Sequence, residues 1–185
     1  MKRFLSTRLG KLILTLFILT NIVYVIMLSV TIPQVSAYAG GMKLPDMMPG
    51  GYPADYIREL FTALGEEGRK AYLTRQLPLD FLYPLLFGLT YSLILFELFL
   101  TLFPHKKLLL LLSIFPALAG TFDYQENFLL VKLLKTYPRL EEDVISMCNF
   151  STVMKSVNTT ISFTLIFILG IWVILKQYHR KKQLS

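Results

Sequence analysis

The chain has 185 residues, of which 54% are hydrophobic and 17% charged, and its formal net charge is +7. Because soluble domains carry about a quarter charged residues, this composition excludes an ordinary water-soluble domain and indicates a protein that lies in lipid. The single cysteine, Cys148, excludes an internal disulfide and a paired-cysteine redox or zinc motif. His105 and His179 each adjoin basic residues at the ends of apolar stretches, which argues against a histidine-based catalytic or metal cluster.

Four apolar stretches are long enough to cross a bilayer, at about residues 12–32, 79–103, 108–131 and 157–175. Each has about 19 to 25 residues, and a hydrocarbon core about 30 Å thick requires about 20. Because a backbone in lipid must satisfy its own hydrogen bonds, each stretch is predicted to be a helix. The predicted fold is therefore all-α: a polytopic membrane protein with a four-transmembrane-helix bundle in a single membrane domain, residues 1–185.

Ten of the cations lie in three places that contain no acidic residue: the N-terminal tail, the turn after the second stretch and the C-terminal tail. They are Lys2, Arg3, Arg8, Lys11, Lys106, Lys107, Lys176, Arg180, Lys181 and Lys182. Since cytoplasmic loops carry the excess of Lys and Arg, this distribution predicts an integral protein of the plasma membrane, the inner membrane in a bacterium, with both termini in the cytoplasm. The basic tails then face the membrane surface, and no nucleic-acid partner is expected.

Residues 1–38 offer an alternative, because they also resemble a secretory signal peptide. A basic start and an apolar run precede the small-residue stretch "VSAYAG". The run has about 21 residues, whereas the apolar region of a signal peptide has about 7 to 15. We therefore expect the first helix to be retained, with cleavage as the alternative.

The segment between the first two stretches, about residues 33–78, is predicted to be an external loop in two parts. The first is rich in Gly, Pro and Met and should be irregular. The second, about residues 53–75, has Pro53 at a first helical turn and apolar residues at helical spacing. Those residues are Ile57, Leu60, Phe61 and Leu64. Gly65 and Gly68 are expected to break this helix, which either caps the bundle or lies along the outer membrane surface.

Three polar residues interrupt the third apolar stretch: Asp123, Glu126 and Asn127. Helical rise places Asp123 about 24 Å above Lys107, in the outer third of the membrane. The other two lie one turn higher on the same face, because positions i, i+3 and i+4 stack along a helix. Two ionised carboxylates at this spacing repel each other, so a proton or a nearby cation must compensate them.

Other helices supply polar residues at the same depth: Asp80 and Tyr83 in the second stretch, Arg75 just before it, and Lys155 and Asn158 around the start of the fourth. Polar side chains within a bilayer face the bundle interior or water, so we expect these residues to converge. The predicted ligand-binding residues are Asp80, Tyr83, Asn127, Lys155, Asn158 and Arg75, and the hypothetical catalytic pair is Asp123 and Glu126.

A second polar layer is predicted near mid-membrane. Asn21 lies about 15 Å above Lys11, and Glu97 about 14 Å above Lys106. Equal depth makes a hydrogen bond between Asn21 and Glu97 plausible, and such a pair is typical of structural contacts between membrane helices.

No cofactor is predicted, because the chain contains no glycine-rich phosphate loop, no Ser-His-Asp set and no Glu-x-x-His signature. Paired-aspartate motifs that bind magnesium and pyrophosphate are absent as well. Oxygens of Asp123, Glu126 and Asn127 could still accept a hard cation such as Mg²⁺. No metal-binding motif accompanies them, so no metal site is predicted.

Four short motifs carry a resemblance: "GRKAY" from Gly68, "LPLDFLYP" around Asp80, "DYQEN" from Asp123, and "STVMK" ending at Lys155. Together they cover about residues 68–155. With them the chain resembles a group of small bacterial four-helix integral membrane proteins. The resemblance implies the four-helix architecture and no activity.

Three functions remain open from the sequence. The first is binding of, or chemistry on, a lipid-like or small amphipathic molecule in a carboxylate-lined pocket of the outer leaflet. The second is a structural or assembly subunit whose polar cluster fixes helix packing. The third is a proton- or cation-coupled transporter. It would need a homo-oligomer, because the inner parts of the second and third stretches, "LFLTLF" and "LLLLLSIF", contain almost no polar residues that could line a path. The expected partners are membrane lipids and the lipid-like ligand, with a homo-oligomer in the third case.

Overall fold

The computed structural model describes residues 7–182, apart from the side chains of residues 180 and 181. The charge predictions for Lys2 and Arg3, and for the side chains of Arg180 and Lys181, therefore lie outside the described residues. The first six residues of the segment that resembles a signal peptide lie outside them as well.

Four long helices make up most of the described chain, and residues 7–182 contain no strand. They are α1 (Arg8–Ser36), α2 (Ala54–Leu102), α3 (Lys107–Thr136) and α4 (Glu142–Lys182). Each contains a stretch that is long and apolar enough to cross a membrane. The prediction of an all-α chain with four such helices is confirmed.

Two prolines explain irregular turns in α1 and α2. A π turn, Met27–Thr31, lies just before Pro33, and a second, Tyr72–Gln76, lies just before Pro78. Proline has no N–H and its ring clashes with the carbonyl four residues earlier, so the preceding turn widens. The two π turns face each other, because the buried hydroxyl of Thr31 donates to the side-chain oxygen of Gln76.

Gly65 breaks the first part of α2, as the sequence predicts. Its φ of 61° and ψ of −171° are readily adopted only by glycine. Gly68, by contrast, stays helical, so the second predicted break is wrong. A Cβ at Gly68 would lie 2.6 Å from the Cβ of Tyr38, and the missing side chain thus lets the loop after α1 pack closely on α2.

The segment of α2 before Gly65 packs onto the bundle. Its apolar face is Ile57, Leu60, Phe61 and Leu64, and all four residues belong to the largest buried cluster of the chain. This segment continues through the π turn into the apolar part of α2. The region predicted as an external loop to residue 78 is therefore helical from Ala54 onward, within one helix interrupted at Gly65.

The helices form an antiparallel bundle. Helix α1 packs on α2, α2 on α3, and α4 on both α3 and α2. The chain reverses direction at each connection, so the described ends lie at one end of the bundle. The loops at residues 37–53 and 137–141 lie together at the opposite end, which we call the loop end. There the backbone N–H of Tyr52 donates to Asn149 of α4 over 2.8 Å.

Helices α2 and α3 approach most closely at Gly120. A Cβ at this position would lie 2.7 Å from the backbone oxygen of Pro84, a distance that side chains do not tolerate. Because the nearest atoms to this Cβ belong to the backbone of Pro84, no side chain can move aside, and the helices themselves would have to separate. Gly120 is therefore expected to hold α3 against the proline-containing turn of α2.

We predict that Gly120→Ala destabilises the protein by about 1 to 3 kcal/mol, the usual result of overpacking. The thermal unfolding temperature of the purified protein in detergent should fall accordingly. Gly170→Ala is the matched control, because it also lies within a long helix and a Cβ there meets nothing within 4 Å. This control should gain about 0.5 to 1 kcal/mol from helix propensity. Equal unfolding temperatures for the two variants would contradict the close contact.

Candidate functional site

The side chain of Lys155 on α4 lies among carboxylates from two other parts of the chain. Its Nζ is 3.5 Å from Asp46 Oδ1 in the loop after α1 and 3.1 Å from Asp123 Oδ1 on α3. It also forms an ion pair with Glu126 on α3. Only 16% of the Lys155 side chain is exposed. One buried ammonium group thus joins the loop, α3 and α4.

A fourth carboxylate, Asp80 on α2, completes what we call the Lys155 cluster: Lys155, Asp46, Asp80, Asp123 and Glu126. Asp80 is 2% exposed, and its Oδ2 has no hydrogen-bond partner among the residues that the structure describes. None of the described cations lies within the 4 Å of an ion pair with it. With all four carboxylates ionised, the cluster would carry three negative charges in excess.

Helical spacing brings the α3 and α4 residues together. Asp123 and Glu126 are three residues apart and share the face of α3 that meets α4. On α4, Thr152 lies one turn before Lys155, and its hydroxyl donates to Glu126 Oε1 over 2.6 Å. Glu126 therefore receives a hydroxyl on one oxygen and the ammonium group of Lys155 on the other.

The loop after α1 brings Asp46 into the cluster. Asp46 lies in a short 3₁₀ turn, Pro45–Met47, and its Oδ2 accepts a hydrogen bond from the Tyr72 hydroxyl over 3.2 Å. Tyr72 is fully buried at the π turn of α2. Asp46 is thus held between Tyr72 and Lys155, and it ties the loop to both α2 and α4.

Tyr52 anchors the end of the same loop. Its hydroxyl lies 3.3 Å from Cys148 Sγ and 3.3 Å from Thr152 Oγ1 on α4. Burial raises the pKa of Tyr52 far above its usual value, so this residue stays a neutral phenol. Gly51 makes the close approach possible, because a Cβ there would lie 2.4 Å from the side-chain oxygen of Asn149.

Asn127 has a backbone partner at the site. Its Nδ2 donates to the backbone oxygen of Asp80 over 2.7 Å. In a regular helix the N–H of residue 84 would bond to that oxygen, but Pro84 has no N–H. The amide of Asn127 therefore satisfies the carbonyl that Pro84 leaves free, and it links α3 to α2 directly beneath the Asp80 carboxylate.

A cavity of about 610 Å³ adjoins the cluster. Its charged lining residues are Asp46, Asp80, Asp123 and Lys155, all towards the loop end. On α2 the lining continues from Asp80 to Tyr91, a distance of about 16 Å along the helix axis. The cavity therefore runs from the charged loop end towards the middle of the bundle.

Aromatic rings form the wall of the cavity away from the cluster. Phe87 lies with its ring centroid 4.7 Å from Tyr91 and 5.8 Å from Phe163 of α4. Tyr24 of α1 stacks on Tyr83 of α2 at 5.6 Å. Such ring pairs are tightly packed, so this part of the cavity presents a firm apolar surface.

The cavity opens between α1 and α4, and also at the loop end. Lining residues that are exposed lie on these two helices and in the loop after α1: Tyr24 and Leu28 on α1, Thr160 and Phe163 on α4, and Met47 and Pro49 in the loop. The other helix pairs around the cavity are packed together. The opening between α1 and α4, which we call the mouth, lies on a side of the bundle whose outer surface is apolar.

The structure separates the predicted site residues into three groups. It brings Asp123, Glu126, Lys155 and Asp80 together, with Tyr83 on the cavity wall and Asn127 bonded behind Asp80. Asn158 is buried, but its amide donates to the backbone oxygen of Met154 in its own helix. Arg75 does not reach the cluster: its side chain is exposed and lies outside the cavity lining.

The mid-membrane pair also differs from the prediction. Asn21 donates to the backbone oxygen of Phe17 over 2.7 Å and lines the cavity. No hydrogen bond joins it to Glu97 in the described part of the chain, where Glu97 is half-buried without an ion pair. Because Thr20 of α1 is hydrogen-bonded to Thr90 of α2, Asn21 lies about two helical turns from Glu97 along α2, and the prediction of equal depth is wrong.

Sequence reasoning missed Asp46, Tyr72 and Tyr52. Asp46 lies in an irregular loop, where no periodicity predicts which way a side chain points. The signal available was that Asp46 is the one acidic residue of the Gly-, Pro- and Met-rich segment before Tyr52. Asp123 and Lys155 are predicted to lie near the outer ends of their helices, so an acidic residue of the external loop could reach them.

The described residues contain no group of three or more His, Cys, Asp or Glu side chains arranged to hold a metal ion. Between Asp123 and Glu126, the ammonium group of Lys155 occupies the position that a cation would take. The arrangement can balance charge, exchange protons among carboxylates and hold the polar end of a ligand.

Comparisons with protein-family models, with curated proteins and with solved structures found no match. The resemblance of the "GRKAY", "LPLDFLYP" and "DYQEN" motifs to small bacterial four-helix membrane proteins therefore stays a prediction. The case for a function depends on the cluster and the cavity alone.

We predict that Lys155→Met sharply reduces the stability of the folded protein, because it leaves three buried carboxylates without a cation. Such a change destabilises by about 3 to 5 kcal/mol. Lys132→Met is the matched control. Lys132 pairs with Glu141 at 3.0 Å, but these side chains are 46% and 62% exposed, and exposed pairs contribute about 0 to 1 kcal/mol. Unfolding temperatures in detergent measure the difference, and similar values for the two variants would contradict a buried ionic centre.

The bond from Asn127 to the Asp80 carbonyl predicts coupling with Pro84. Asn127→Leu should destabilise by about 1 to 3 kcal/mol, because it leaves a buried carbonyl unpaired. In a Pro84→Ala background the same change should have less than half that effect, since the N–H of Ala at residue 84 can bond to that carbonyl. A double-mutant cycle of unfolding free energies measures this, and an equal penalty in both backgrounds would show that the Asn127 amide has another role.

Proposed function

We propose that the chain is an integral protein of the bacterial inner membrane, with both termini in the cytoplasm and the loop end outside. Four helices long and apolar enough to cross a membrane support this. So does the charge pattern, since the cations that lack acidic neighbours lie in the tails and in the α2–α3 turn, away from the loop end. In this orientation the Lys155 cluster lies in the outer leaflet.

We further propose that the cavity binds a lipid-like or small amphipathic molecule. The observation that carries this proposal is one cavity of about 610 Å³ with charged groups at the loop end and aromatic rings further in. Its volume lies in the range of about 300 to 1,000 Å³ that is typical of small-molecule sites. A molecule with one polar end and one apolar part matches that division.

The position of the mouth supports entry from the lipid. Tyr24 and Leu28 on α1, and Thr160 on α4, are lining residues that also reach the outside of the bundle. A ligand entering between these helices keeps its apolar part in a hydrophobic medium throughout. Its polar end would then meet the cluster, and its apolar part would lie against Phe87 and the rings around it.

Two alternatives remain proposals. A structural subunit is supported by the ion pairs that join the loop, α3 and α4. A proton- or cation-coupled transporter is less well supported, because an apolar cluster fills the inner end of the bundle, with Leu95, Phe99, Leu102 and Leu169 at its centre. A polar path through the described residues of a single chain would have to cross that cluster.

Blocking the mouth tests the binding proposal. The protein in nanodiscs is labelled with a photoreactive diazirine lipid, and Thr160→Trp is expected to lower the labelling several-fold by filling the mouth. Thr121→Trp is the matched control. Both threonines are exposed, and each donates over 2.9 Å to the carbonyl four residues earlier, but only Thr160 lines the cavity.

Both variants must be folded and monodisperse for the comparison. Native mass spectrometry of the wild-type protein should in addition detect a co-purified molecule. Equal labelling of the two variants, together with a wild-type protein free of any bound molecule, would reject ligand binding in favour of the structural subunit.

A further inference from the structure

We infer that the ligand of the cavity carries a protonated primary or secondary amine, which donates to the carboxylate of Asp80. This inference deepens the proposed function and rests on it, since it names the chemical class of an amphipathic molecule in the same cavity. Three independent features lead to it: the charges of the lining, the missing partner of Asp80, and the aromatic rings beside it.

The lining has too few cations for its carboxylates. Asp46, Asp80 and Asp123 line the cavity, and Lys155 is the cation among the described lining residues. The ammonium group of Lys155 has three N–H donors. Asp46, Asp123 and Glu126 lie around it as its three carboxylate partners. Lys155 forms ion pairs with these three carboxylates and none with Asp80.

Asp80 has neither a hydrogen bond on its Oδ2 nor an ion pair within the described residues, whereas Glu126 Oε2, which also lacks a hydrogen bond, has the ion pair with Lys155. Asp80 is 2% exposed. A buried acceptor without a donor is unfavourable. The charged groups nearest to Asp80, apart from Lys155, are themselves carboxylates, so a cation in the cavity would supply the donor that the described residues do not.

The head group of the ligand follows from these charges. A head group with only negative charge, such as a carboxylate or a phosphate without an amine, would meet like charges at short range. An alcohol would bring one O–H donor and no charge. A protonated amine brings two or three N–H donors and the positive charge that balances Asp80, whereas a quaternary ammonium brings the charge without an N–H.

The rings beside Asp80 favour the same group. Tyr83 lies three residues after Asp80 on the same face of α2, and Tyr24 stacks on it at 5.6 Å. The faces of aromatic rings attract cations within about 6 Å. Asp80 and this tyrosine pair together form a suitable receptor for an alkylammonium group, with Phe87 next along the wall for its apolar chain.

The test uses the full chain in phosphatidylcholine nanodiscs at pH 7, a lipid that has no N–H in its head group. Four photoreactive probes share one dodecyl chain and differ in the head group: primary amine, trimethylammonium, alcohol and carboxylic acid. We expect saturable labelling by the amine at a concentration at least tenfold lower than by each of the other three. This comparison needs only the wild-type protein.

Asp80→Asn then locates the amine. It should raise the concentration for half-maximal amine labelling at least tenfold and remove the preference for the amine over the alcohol. Asp55→Asn is the matched control, because Asp55 is exposed in the first turn of α2 and lies outside the cavity lining. Asp80→Asn keeps the backbone carbonyl of residue 80, so the hydrogen bond from Asn127 to that carbonyl is unaffected.

Two sources offer the same ammonium group, a free alkylamine or the head of an ethanolamine phospholipid. Competition by lysophosphatidylethanolamine, but not by the lysophosphatidylcholine of equal chain length, would identify the phospholipid. Competition by dodecylamine alone would identify the free amine.

The inference is overturned if the wild-type protein binds amine and alcohol equally, or if folded Asp80→Asn keeps the preference for the amine. In both cases the cavity still binds amphipathic probes, and the proposed function stands. Absence of saturable labelling by all four probes would instead overturn the proposed function.

Discussion

The burial of one ammonium group among carboxylates is the interaction on which the rest of the structure depends. In a medium of low dielectric constant, Lys155 requires close anions, and it finds them on α3 and in the loop after α1. The loop consequently folds back over the bundle, where Gly51 lets Tyr52 approach α4. Helix α1 has no charged residue in this network. It packs on α2 instead, and the space between α1 and α4 becomes the mouth of the cavity.

Two kinds of polar residue can be distinguished within the helices. In the first kind the side chain satisfies a backbone group: Asn127 bonds to the carbonyl that Pro84 leaves free, and Asn158 to a carbonyl of its own helix. Membrane helices tolerate proline because such partners are present. In the second kind the side chain has no backbone partner, and Asp80 is the clearest example. A polar residue of the first kind is explained by the fold, whereas one of the second kind requires a ligand, a proton or a counter-ion.

Much of the fold could be predicted, because hydropathy alone identifies helices of this length. Helical spacing likewise placed Asp123 and Glu126 on one face, and depth brought Lys155 to them. Counting the helical rise from flanking lysines does not give the register between two helices, and for this reason Asn21 and Glu97 lie about two turns apart. Arg75 lies in the π turn before Pro78. That turn inserts a residue into the helical repeat and changes the direction of neighbouring side chains by about 100°. No periodicity exists in the loop to predict the direction of Asp46.

The arrangement of the cavity restricts how a ligand could reach the cluster. At the inner end Leu95, Phe99, Leu102 and Leu169 exclude water. At the loop end the exposed residues Met47 and Pro49 line the cavity beside Asp46, so a ligand would there pass the charged groups first. The second opening lies between α1 and α4. Helix α1 is attached to α2 through two buried hydrogen bonds, one between Thr20 and Thr90 and one from Thr31 to Gln76. Neither bond involves the Lys155 cluster. Under the proposed function, a ligand that enters between α1 and α4 would therefore leave intact the ion pairs that join α3 to α4.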